Sequence, residues 1–140
     1  FKATMIAGAG GFIGSCMRFL SGWLGNIVSH GAFPLGTFMA NILGCLLIGI
    51  FYGWATKRHR LTENHKLFLI TGLCGGFTTF STFSDEMVSL IESGNISMFV
   101  FYLAISLVAG LLAVLAGIAM VRPNKTKTAK AAGLNGTKVN

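Results

Sequence analysis

Four apolar runs alternate with short polar or basic stretches along these 140 residues. They cover residues 3–24, interrupted only by Arg18, then 33–55, 66–91 and 97–121. About 20 apolar residues in an α-helix cross the hydrocarbon core of a bilayer, so each run predicts one membrane span. Between the first two runs lies the polar stretch 25–31, which holds Asn26, Ser29 and His30. Lys57-Arg58-His59-Arg60 ends the second run and Arg122-Pro123 ends the fourth. Residues 124–140 are polar and Lys-rich and read as a disordered tail. The expected organisation is one all-α, four-helix transmembrane domain over residues 1–122, with a basic tail over 123–140. The first run carries Arg18 and lacks an A-x-A cleavage site, so it reads as a retained span. The chain opens on Phe1 rather than Met, so the natural start is expected upstream.

Small residues recur four apart within the runs, at Gly10/Gly14, Ala40/Gly44, Gly49/Gly53 and Ala113/Gly117. Such pairs let helix backbones approach closely where lipid removes the hydrophobic drive for association. The stretch from Gly8 to Gly14 has neither the strand context nor the Lys of a phosphate loop, so its glycines read as packing.

Composition agrees with the pattern. Hydrophobic residues make up 53% of the chain, charged residues only 11%, and mean hydropathy is +0.70, too apolar for a solvated domain. The net charge of +7 suggests nucleic acid at first sight. The basic residues flank apolar runs instead of forming one face with aromatics, and so act as topology signals and headgroup contacts. An even number of spans puts both termini on one side. That side holds ten Lys and Arg: Lys2, Lys57, Arg58, Arg60, Lys66, Arg122, Lys125, Lys127, Lys130 and Lys138. The other side has only Arg18, itself within a span. By the positive-inside rule both termini are expected in the cytoplasm.

The third run is the unusual one. Gly75-Gly76 followed by Thr78-Thr79 is poor helix-forming sequence, and a break there exposes backbone polar groups at membrane depth. A kinked continuous helix and a broken one both remain open on spacing alone, and transporters use such breaks to hold ions. Phe80 and Phe83 lie three apart, as do Ser81 and Ser84, so each pair is expected to share a helix face. Aromatics within a span ordinarily pack or face lipid. Interleaved with hydroxyls, their positive ring edges also suit a small anion stripped of water. Thr37 and Asn41 form an i, i+4 pair on the second run, and Tyr102 and Ser106 another on the fourth. Each pair can serve as interhelical glue or line a polar path. Arg18 is costly in lipid and is expected to snorkel or to face a wet vestibule.

At these residues the chain resembles the CrcB/Fluc family of fluoride channels. Gly36-Thr37-Phe38-Met39-Ala40-Asn41 is similar to the family's second-helix motif, and Gly72 through Glu86 to its third-helix signature. Gly14-x-x-x-Arg18 resembles the first-helix pattern, and the likeness spans residues 3–121. The resemblance implies an antiparallel, dual-topology dimer with the third helix broken mid-membrane, conducting fluoride passively out of a bacterial cytoplasm across the inner membrane. It implies Phe80 and Phe83 as pore aromatics and Asn41 as a pore donor. Thr37, Thr79, Ser81, Thr82, Tyr102 and Ser106 would lie along the polar track, with Arg18 and Glu86 as vestibule or gating charges. Backbone carbonyls of Gly75 and Thr78 would hold one structural Na⁺ at the dimer interface. Two departures stand out. Gly110 falls where the family often continues its hydroxyls, and the ten-to-one charge bias favours a heterodimer with an oppositely biased paralogue over a homodimer. A non-conducting, orientation-setting partner subunit is the alternative reading.

Other classes fit less well. A proton-coupled exporter needs a membrane-embedded carboxylate, and of Glu63, Asp85, Glu86 and Glu92 only Asp85 and Glu86 approach the interior. His30, His59 and His65 sit between runs without a nucleophile or ligand partner, so enzymatic chemistry is not expected. Cys16, Cys45 and Cys74 lie in different runs and read as small packing residues.

Overall fold

A computed structural model of the chain describes residues 1–29, 31–58 and 61–121, without the side chains of Lys57 and Arg58. Among these residues all regular structure is helical. The elements are α1 (Lys2–Val28), α2 (Leu35–Arg58), α3 (Glu63–Lys66), a π-helical segment π1 (Leu67–Cys74), α4 (Gly75–Phe77), α5 (Ser81–Glu92) and α6 (Ile96–Val121). Four stretches are long and apolar enough to cross a membrane: Lys2–Val28, Leu35–Thr56, Glu63–Glu92 and Ile96–Val121. The tail expected over 123–140 lies outside the described residues.

The first helix runs to Val28 rather than stopping near residue 24, so most of the expected polar stretch is its last turn. Gly25 is the cause. It is buried against the main chain of Gly36 at the start of α2. A Cβ on Gly36 would in turn lie 2.7 Å from the Ser21 carbonyl oxygen. Helix α1 therefore extends until it has seated against the entry of α2.

Backbone-to-backbone contact organises the rest. Between α1 and π1 a Cβ on Gly10 would meet the Phe68 carbonyl and stand 2.9 Å from the Leu73 nitrogen, and one on Gly14 would meet the Leu73 carbonyl. Gly72 and Gly76 return the contact against Ala7 and Gly11. Between α2 and α6, Gly49 faces the Val114 carbonyl and Gly117 the Leu46 carbonyl. In lipid, such close approach gives dispersion and dipole contacts that bulkier side chains would hold apart. Gly53 abuts Val121, which brings the end of α2 to the end of α6.

The connections have local causes. Thr62 caps α3 by accepting from the His65 N–H at 3.4 Å, and Lys66 pairs with Glu63 at 2.7 Å. Gly94, at φ +74°, ends α5. Its N–H donates to the Ile91 carbonyl at 3.0 Å and the Asn95 N–H to the Leu90 carbonyl at 2.9 Å, the paired bonds of a Schellman stop. The third and fourth spans thus form a tight hairpin.

Overpacking at a backbone seam costs about 1–3 kcal/mol or more. Gly14→Ala and Gly49→Ala are expected to lower the melting temperature in detergent, while Gly8→Ala, with nothing within 4 Å of the added carbon, leaves it unchanged. Equal melting of all three variants would contradict the seam assignment.

Candidate functional site

The third span changes geometry three times. Through π1 the turns are wide enough for the Gly75 N–H to reach the Ile70 carbonyl, five residues back. Helical backbone continues through Phe77, and Thr78 then turns extended (φ −77°, ψ 155°). Phe80 is the N-cap of α5, with αR backbone and a carbonyl that accepts from the Ser84 N–H at 2.9 Å, so its ring opens the face that Phe83 continues. No sequence feature had signalled the π segment.

An interruption leaves main-chain groups without helical partners, and side chains from other spans take several of them. Asn41 on α2 makes a two-point contact with Thr79: its Nδ2 donates to the Thr79 carbonyl at 3.0 Å, and its Oδ1 accepts from the Thr79 N–H at 2.7 Å. Arg18 on α1 donates through Nε to the Gly76 carbonyl at 3.2 Å. The expected snorkelling cation thus spends at least one donor on the end of α4, where partial negative charge gathers. Thr78 sends both its N–H and its hydroxyl to the Cys74 carbonyl, each at 2.9 Å. Thr79 Oγ1 accepts from the Thr82 N–H at 3.2 Å and also contacts the Ser81 and Thr82 hydroxyls at 3.2 Å.

Next to this segment lies a carboxylate. The Thr37 hydroxyl donates to Glu86 Oε1 at 2.6 Å and the Tyr102 hydroxyl to Oε2 at 2.8 Å, joining α2, α5 and α6 through one side chain. Thr37 is 8% exposed and Tyr102 fully buried, so their protons are committed to Glu86. Glu86, one of the two acids expected to approach the interior, is half-buried and already engaged by both hydroxyls. Rings hold the arrangement in place. Phe83 packs 5.0 Å from Tyr102 between centroids, and Phe33 meets the other side of Tyr102 edge-on at 5.3 Å.

Two cavities flank the polar cluster. A groove of about 440 Å³ runs between α2, the Thr78–Phe80 segment and α6, past Asn41, Thr79, Phe80, Phe83 and Ser106. Phe80 is 79% exposed while Phe83 is 8% exposed, so one ring borders the open side and the other is built into the wall. Their centroids are 6.2 Å apart. The Ser106 Oγ is buried and has no hydrogen-bond partner among the described residues. A second cavity of about 390 Å³ lies beneath the α1–α2 connection and reaches Thr37, Thr82 and Glu86.

The structure thus gathers Asn41, Thr79, Phe80, Phe83 and Ser106 on one groove and Thr37, Thr82, Glu86 and Tyr102 into the adjoining cluster. Ser81 is exposed and joins through Thr79. Arg18 meets the cluster only from behind, through Gly76. Cys45 and Gly110 also line the groove. Each is four residues beyond a predicted site residue, Asn41 and Ser106, and the same helical spacing extended by one step finds them.

Among the described residues no three His, Cys, Asp or Glu come together to hold a metal. Oxygen donors do. The Thr79 N–H that would serve the Gly75 carbonyl in a continuous helix is held by Asn41. The Thr82 N–H that would serve the Thr78 carbonyl goes to a side chain. Gly75 is exposed, and a Cβ there would meet the Ile70 carbonyl oxygen at 3.9 Å. Its carbonyl and that of Thr78 suit a hard cation.

Comparison with known proteins extends the picture. The family described as CrcB-like protein, Camphor Resistance (CrcB), matches residues 5–118. A fluoride-specific ion channel FluC of Azobacteroides pseudotrichonymphae is 47% identical over 116 residues, which is 83% of this chain and 93% of that protein. One from Flavobacterium psychrophilum is 40% identical over 121 residues, 86% of this chain and 98% of its own length. One from Bacteroides fragilis is 48% identical over 111 residues, 77% and 87% respectively.

A hydrogen bond to a charged group contributes about 1.5–3 kcal/mol. Tyr102→Phe and Thr37→Val are each expected to destabilise the folded chain by about that much, and Glu86→Ala to reduce the added cost of either. Chemical unfolding of the single and double variants in detergent measures the coupling; strictly additive effects would dissolve the three-residue network.

Proposed function

The chain belongs to the CrcB-like family, and we propose that it is one subunit of a fluoride-selective channel that lets fluoride leave the cytoplasm passively. The family is one of ion channels rather than enzymes, and the chain has the four spans of a multi-pass membrane protein. The observation that carries the reading is the groove lined by Asn41, Phe80, Phe83 and Ser106, whose buried hydroxyl has no hydrogen-bond partner among the described residues. Fluoride is small and strongly hydrated, so a narrow path must replace its water with many fixed donors. Amide, hydroxyl and ring-edge groups supply partial positive charge without a full cation that would trap the ion.

The open groove is half of a passage, and the heavily exposed Phe80 is suited to meeting a second subunit. Antiparallel pairing, as the family resemblance implies, would bring two copies of the interrupted third span together. The carbonyls of Gly75 and Thr78 from both subunits would then hold Na⁺, which would cement the interface. The ten-to-one distribution of Lys and Arg supports one insertion orientation, with both termini and residues 123–140 in the cytoplasm of a bacterial inner membrane. A fixed orientation in an antiparallel pair favours a partner of opposite bias. Gly110 interrupts the α6 series Tyr102, Ser106 inside the groove, so a subunit that orients a conducting partner is the second reading. Substituting Phe80 in this subunit alone separates the two.

Proteoliposomes holding the chain with its companion subunit are expected to release fluoride. Phe80→Ile and Phe83→Ile should each slow release by about tenfold, as loss of a partner worth roughly 1.4 kcal/mol does. Vesicles that stay sealed to fluoride, or variants that match the parent, would overturn the assignment. Single cysteines at Thr62 and at Asn95, on opposite ends of the bundle, are expected to react from opposite sides of intact cells. Equal labelling of each site from both sides would defeat the single orientation.

A further inference from the structure

Asn41 is held by the backbone of another span in a way that bears on which end of its amide meets an anion. An amide has a donor end and an acceptor end of similar shape. In a path for a dehydrated anion the two have opposite effects, since N–H attracts the ion and C=O repels it. An unrestrained Asn beside the groove could present either by rotating its terminal bond. Thr79 removes that freedom, because its N–H meets the Asn41 oxygen at 2.7 Å and its carbonyl meets the Asn41 nitrogen at 3.0 Å. Turning the amide over would set oxygen against carbonyl and N–H against N–H, losing both bonds and leaving like partners opposed.

We propose that the main chain of Thr79 fixes the polarity of the Asn41 amide, hiding its oxygen and leaving one N–H to the groove. This rests on the channel reading and makes Thr79 a positioning residue through its backbone. The amide nitrogen carries two protons, of which Thr79 takes one. Planarity directs the second away from Thr79, and Asn41 lines the same groove as Phe80, Phe83 and Ser106. The lock also explains a use for the interruption itself. In a continuous helix the Thr79 N–H would bond the carbonyl of Gly75 and be unavailable. Because Thr78 is extended, both polar groups of Thr79 are free to grip a side chain from α2. Specificity for a negative ion is then set by main-chain atoms that no side-chain substitution at position 79 removes.

Replacing Thr79 by its α-hydroxy acid changes the N–H to an ester oxygen and leaves every side chain in place. It also weakens the Thr78 carbonyl as a ligand, so flux is compared at low and high Na⁺. Recovery at high Na⁺ would assign the loss to Thr78 and overturn the lock. The full channel so altered is expected to keep its size on gel filtration, to release fluoride about tenfold more slowly, a change of roughly 1.4 kcal/mol, and to discriminate less between fluoride and chloride. The same replacement at Leu20, within α1 and away from the groove lining, reports the loss of an ordinary helical bond and should alter neither flux nor selectivity. Wild-type flux and selectivity in the Thr79 ester would overturn the lock, whereas a parent channel that carries no fluoride overturns the channel reading instead. A second measurement is independent of flux. Hydrogen exchange at the Thr79 amide is expected to be slow in the parent protein and at least about tenfold faster in Asn41→Leu, corresponding to the loss of roughly 1.4 kcal/mol of protection. Equal exchange in the two would show that the Asn41 oxygen does not face Thr79.

Discussion

Main-chain polar groups at membrane depth have no water to bond, and every one left without a protein partner costs free energy. Three of the four spans meet this constraint within their own helices. The third does not, and most of what distinguishes the molecule follows from how its loose groups are satisfied. Arg18 from α1 and Asn41 from α2 bond main-chain atoms in the region where helical bonding lapses, while Thr78 and Thr79 supply the remaining local bonds. Polar side chains in a membrane bundle are therefore not all available to a passing ion. Several are engaged in holding the backbone that lines the groove.

The glycine seams serve the same end by another route. The contact of α1 with π1 and α4 is made largely by Gly10, Gly14, Gly72 and Gly76, so the backbones touch. With the spans this close, an arginine on one can reach a carbonyl on the other. A bulkier seam would push Arg18 away from Gly76, and the end of α4 would lose its cationic cap. Helix packing and polar satisfaction are thus coupled through the small residues, as expected where lipid provides no hydrophobic drive for association.

Apolar run length alone located the four spans, because the bilayer sets a minimum that few soluble helices meet. Their ends were less legible. Gly25 and Asn26 read as loop residues, yet contact with Gly36 keeps that turn helical. Gly75 and Gly76 carry a low helical propensity and drew attention to that region, but both are helical, and the extended residue is Thr78. Gly76 has a contact reason, facing Gly11, so a propensity signal and a packing signal coincided there. The pairs Thr37/Asn41 and Tyr102/Ser106 disclosed shared faces through helical spacing. They could not disclose that Thr37 and Tyr102 would converge on Glu86, since that depends on three spans meeting. The π turns of residues 67–74 have no residue signature and stayed invisible.

The Gly94 stop joins α5 to α6 through so few residues that the two leave the ribosome almost as a unit. Glu86 and Tyr102 lie on the two arms of that unit, and Thr37 belongs to a span made earlier. The carboxylate thus has one donor waiting for it in the bilayer and another arriving directly behind it. Delivery of an acidic group into hydrocarbon is normally the difficult step of membrane insertion. Here chain order supplies its partners on both sides, so biogenesis need not expose the acid to lipid for longer than one helix takes to emerge.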